Sequence, residues 1–137
     1  MMKTLTRQGA AILAITVLSG TAIANGQIKD DAEIFHRLLT AAVGNEIRDN
    51  CPTIEVRTIA ATFYVIGIVN YASAQGFSRA EMDAFREDPK EQDRLRKAAH
   101  AYLDSHGVNR KDAASYCPLG KAEIEQKSEI GRLLKSR

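Results

Sequence analysis

The sequence predicts an all-α protein: a small bundle of about four to five helices around a central apolar helix, stapled by one disulfide. Three observations predict it. Apolar residues recur at three- and four-residue steps along nearly the whole chain, and no stretch alternates as a strand bounded by hairpin turns. Helix-start signatures head several of these runs, the clearest being Ser78 with Glu81 and Asp88 with Pro89. The chain has two cysteines, each directly followed by proline, in DNCPTIE (49–55) and SYCPLGK (115–121).

Residues 1–24 read as a secretory signal. Lys3 and Arg7 form a short basic region, and Gly9–Gly20 is an uncharged, mostly apolar run. Ala22-Ile23-Ala24 supplies the small residues that a signal peptidase needs, so cleavage is expected between Ala24 and Asn25. The apolar run is too short for the ~20 residues of a bilayer span. Residues 25–137 then form a single helical domain, expected in the periplasm or outside the cell, with no stable membrane span. Lys3 and Arg7 leave with the signal. The 19 basic residues become 17 against 17 acidic ones, which removes any basic excess suited to nucleic acid.

The first helix is expected over about Asp31–Arg48. Phe35, Leu38, Leu39, Ala42, Val43 and Ile47 make one stripe, with Asp30 as N-cap and Glu33 completing a capping box. The second is expected over about Pro52–Gln75. Cys51 stands at its cap, Pro52 in its first turn and Gly76 at its left-handed end. No charge lies between Arg57 and Arg79, and apolar residues surround the helix, which marks it as the buried central one. A third helix, about Arg79–Glu87, is specified by the Ser78/Glu81 box and a Phe77/Met82 staple. A fourth, about Pro89–Ser105, has Asp88 as cap, Glu91 as box partner and Gly107 past its end. A short turn within 109–116, a fifth helix over about Pro118–Lys127 and a last turn capped by Ser128 follow. Ile130, Leu133 and Leu134 form an apolar anchor there.

The cysteines admit three readings. A Cys51–Cys117 disulfide suits an exported domain with one available pairing. A redox thiol draws on the lowered pKa at a helix N-terminus, but no Cys-X-X-Cys turn is present. A metal clamp needs further ligands, and His36, His100 and His106 share no ligand spacing with a cysteine or each other. The disulfide accounts for the pattern best. It sets a geometric condition: two helix N-termini with Cα atoms within ~7 Å.

Catalytic signatures are absent. The acidic run Glu81, Asp83, Glu87, Asp88, Glu91 and Asp93 reads as caps and as charges alternating with basic residues on a solvated face. No serine stands in a hydrolase motif, no glycine-rich phosphate loop occurs, and no cofactor is implied. Tyr64, Tyr71, Tyr102 and Tyr116 are expected near the central helix as core residues. The chain is therefore expected to be a non-enzymatic interaction or accessory module whose partner is another envelope protein. The alternatives are a thiol-redox protein at Cys51 or Cys117, and a small-ligand carrier with a pocket near Phe63, Tyr64 and Tyr102.

The segments NEIRDNCPTIEVR (45–57), YASAQGFSRAEMDAF (71–85), YCPLGKAEI (116–124) and IGRLL (130–134) resemble a family of small exported alphaproteobacterial proteins, domain-of-unknown-function family 5333. The likeness covers nearly all of residues 25–137 and rests on the cysteine pair and the terminal Ile-Gly-Arg-Leu-Leu. It implies no catalytic residue. It implies export and, as an alternative role, an accessory or assembly factor of respiratory NADH:quinone oxidoreductase.

Overall fold

The computed structural model describes residues 26–137, which form six α-helices and one two-stranded sheet. Helix α1 spans Ala32–Asn50, strand β1 Ile54–Val56, α2 Thr58–Ala74, α3 Arg79–Glu87, α4 Pro89–Ser105, α5 Tyr116–Gln126, α6 Glu129–Arg132 and strand β2 Leu134–Ser136. The all-α bundle with one disulfide is what the chain forms. The signal segment and the Ala24–Asn25 cleavage point lie outside the described residues.

The helix starts follow side-chain chemistry. Asp31, not Asp30, caps α1 by accepting the Ile34 N–H at 2.9 Å. Asp30 is taken up by a preceding 3-10 turn, Ile28–Asp30. At α3 the box is complete: the Ser78 hydroxyl accepts the Glu81 N–H, and Glu81 accepts the Ser78 N–H at 2.7 Å. Phe77 is buried with Met82 packed against it, as the staple requires. Asp88 caps α4 through the Lys90 N–H, with Pro89 in the first turn. Glu91 closes no box there; it holds Arg94 at 2.8 Å. Gly76 and Gly107 take the left-handed conformation just past α2 and α4, at φ 92° and 79°.

Helix α1 is the centre of the fold. It packs against α2, α4, α5, α6 and β1, and buries Ile34, Thr40, Val43, Gly44 and Ile47. The main core joins Val43 and Ile47 to Ala99 and Leu103 of α4, Tyr116 and Leu119 of α5, and the Ile130/Leu134 anchor. A smaller cluster of Ile34, Ala72 and Phe77 lies at the other end of α1.

Helix α2 corrects the sequence reading twice. It starts at Thr58, because the residues after Cys51 form a turn and then β1. It is also peripheral: only Ile68 and Ala72 are buried, while Ile59 is 75% and Phe63 68% exposed. An apolar helix lowers its free energy by burial only where a neighbour exists, and α2 packs chiefly on α1 alone.

The sheet was not foreseen either. Strand β1 pairs antiparallel with β2, with Ile54 opposite Ser136, Glu55 opposite Lys135 and Val56 opposite Leu134. Three-residue strands are too short to show alternation, and their pairing joins distant segments.

Candidate functional site

Cys51 and Cys117 are paired, with Cα atoms 5.1 Å apart and a sequence separation of 66. No cysteine is free among the described residues. The geometry differs from the expected pair of helix starts. Cys51 is the C-cap of α1, its N–H donating to the Ile47 carbonyl, and Cys117 lies in the first turn of α5. The staple therefore joins a helix end to a helix start. Cys51 is fully buried, so the pair is part of the core.

The other predicted groups are scattered. His36 contacts Glu129 at 2.8 Å, His100 lies 3.2 Å from Arg110, and His106 stacks on Tyr102. No group of three metal-ligating side chains occurs among the described residues. The acidic run dissolves into separate partners: Asp83 and Glu87 with Arg86, Glu91 with Arg94, Asp93 with Arg96 and Lys97. Lys97 and Arg96 hold the Asp93 carboxyl below the usual carboxylate range, and bonds from Ser78 do the same for Glu81. Phe63, Tyr64 and Tyr102 do not frame a common pocket, because Phe63 points outward from α2 and Tyr102 packs against the main core. The Tyr64 hydroxyl is buried with no partner in hydrogen-bonding geometry. Burial raises its pKa.

One polar group escaped the sequence reading. Glu123 is only 5% exposed, and no cation pairs with it among the described residues. Tyr102 donates its hydroxyl to Oε1 at 2.5 Å, and Ser128 donates its hydroxyl to Oε2. The Ser128 oxygen also accepts the Gly131 N–H at 2.9 Å. The cluster ties α4, α5 and α6 together. Desolvation, then the bond to Glu123, drives the Tyr102 phenol far above its usual pKa, so it remains a donor. A visible signal existed: Glu123 follows Leu119 by four residues on the buried face of α5. Both carboxylate oxygens of Glu123 are engaged in holding helices.

Two surfaces remain. The outer face of α2 presents Ile59, Phe63 and Ile66 to solvent on a helix with no charged residue. Beside it, α1, α2, α3 and α4 enclose an open cleft of about 500 Å³. No described helix is long and apolar enough to cross a membrane.

A family model for DUF5333, a family of unknown function, matches residues 26–135. The chain belongs to DUF5333. No curated protein and no solved structure matches it. In this DUF5333 chain the motifs that carry the resemblance are architectural. Ile130, Gly131, Leu133 and Leu134 of the terminal Ile-Gly-Arg-Leu-Leu are buried. The Leu133 carbonyl accepts the Arg57 N–H at 2.7 Å, which locks the chain end to the start of α2. Gly120 of the second cysteine segment lies against the core, since a Cβ there would sit 2.6 Å from Ile47 and closer still to Ile54, and both side chains would have to shift.

Proposed function

We propose that this DUF5333 chain is an exported, non-catalytic interaction module that holds another envelope protein on the outer face of α2. One observation carries the reading: three large apolar side chains, Ile59, Phe63 and Ile66, stand in solvent on one side of a single uncharged helix. Scattered exposed apolar residues are ordinary, whereas a contiguous patch of this kind marks an association surface. Ile59, Phe63 and Ile66 follow the four- and three-residue steps by which one helix face anchors in a partner's groove. The stapled core supports a rigid platform, and disulfides persist mainly in oxidising compartments.

The test has two arms. Intact mass of the protein in periplasmic extract is expected to begin at Asn25; a cytosolic product retaining residues 1–24 sinks the export claim. For the interface, Phe63→Asp with Ile66→Asp should abolish co-purification of the envelope partner while the melting temperature stays within a few degrees. Unchanged co-purification removes α2 as the docking face.

A further inference from the structure

We infer that the cleft between α1, α2, α3 and α4 is a binding site for a single-chain amphiphile with a carboxylate head, such as a free fatty acid. The inference stands apart from the α2 interaction reading and uses a different surface.

The walls are apolar. Ile34, Leu38 and Ala41 of α1 form one side, and Val65, Ile68 and Val69 of α2 the other. Helix α3 borders the cleft: none of its residues is buried, and its two large apolar side chains, Met82 and Phe85, line it. The open cleft of about 500 Å³ between four helices lies within the ~300–1,000 Å³ range of small-molecule sites.

Size suits the occupant: an open cleft of about 500 Å³ takes one slim acyl chain.

Polarity selects its orientation. Every polar lining residue falls between positions 79 and 92, at the α3–α4 side. The acids there are already engaged, Asp83 with Arg86 and Glu91 with Arg94. Arg79, at the first position of α3, is exposed and makes no ion pair among the described residues. A guanidinium on the polar side of an apolar cleft suits a carboxylate head, which it can grip with two parallel N–H bonds.

Calorimetric titration of the disulfide-intact protein with sodium dodecanoate, dodecyltrimethylammonium and a neutral dodecyl glycoside, each below its micelle concentration, tests this. Dodecanoate should saturate one site and bind at least tenfold more tightly than the cationic chain. Arg79→Glu should reverse that order, and Arg79→Lys should keep most of the affinity. Ala41→Leu should block the site. Should that variant misfold, amide shifts of the unmodified protein give the same answer, with changes expected in 34–41, 65–72 and 82–85. No saturable binding, equal affinity for all three heads, or indifference to Arg79→Glu overturns the proposal. So do shifts confined to Ile59 and Phe63. Phosphatidylglycerol vesicles form the last arm: binding only to vesicles, with none to monomeric dodecanoate, assigns the surface to bilayer lipid and overturns the free-acid claim. Phe63→Asp should leave dodecanoate affinity unchanged, so failure here and failure of the α2 interface are separable.

Discussion

Gly131 of α6 lies directly against the backbone of Glu123 in α5. A Cβ at position 131 would overlap the Glu123 carbonyl and stand 2.8 Å from the Ile124 nitrogen. Backbone on both sides leaves nothing flexible to yield. Gly131→Ala is therefore expected to cost about 3 kcal/mol or more, the upper range for overpacking. Urea unfolding measures it, and a loss under about 1 kcal/mol shows that α6 is not held against α5.

Glu123→Ala removes the acceptor shared by the Tyr102 and Ser128 hydroxyls. Two half-buried donors lose their partner, at roughly 1 kcal/mol or more each. Tyr102→Phe takes away one donor and leaves Ser128 in place, so it should cost clearly less. Equal losses in the two variants would contradict the clamp.

Replacing both cysteines by alanine frees a 66-residue loop in the unfolded chain. The chain-entropy model predicts a loss of roughly 4 kcal/mol. The double variant should melt well below the parent, and the parent in reductant should follow it.

Phe63 and Ile47 separate a peripheral α2 from a central one. Ile47 is fully buried and Phe63 mostly exposed. Ile47→Ala should cost ~2–5 kcal/mol, while Phe63→Ala should stay within about 0.5 kcal/mol. A large loss at Phe63 would restore α2 to the core.

The α3 cap should respond to acid. Bonds from Ser78 hold the Glu81 carboxyl below its usual pKa. A depressed acid stabilises the fold above its unfolded pKa, ~4.3 for glutamate, and that stabilisation fades as pH falls through the lower folded value. The protection of amides at the start of α3, taken relative to the intrinsic exchange rate at each pH, should therefore fall on acidification below that range. Glu81→Gln should remove most of the pH dependence.

Local chemistry was legible in the sequence. Ser78, Glu81, Asp88, Pro89, Gly76 and Gly107 act within one helical turn, and α3 and α4 lie where these residues put them. The Ile130/Leu133/Leu134 anchor was legible because burying so apolar a triplet near a chain end requires docking. Helix α2 was misread because periodicity reports how apolar each side is, and not whether a neighbour covers it. Glu123 was missed because its donors, Tyr102 and Ser128, come from other helices.

By itself the sequence determined the helical class, the helix boundaries set by caps and glycines, and the single available cysteine pairing. Those properties depend on contacts a few residues apart, or on simple counting. Tertiary structure alone decided that α1 is the centre and that Cys51 ends a helix instead of starting one. It also decided that β1 meets β2, and that α2 and α3 flank an open cleft. Each depends on which distant segments approach one another in space, and local propensity carries no record of that choice.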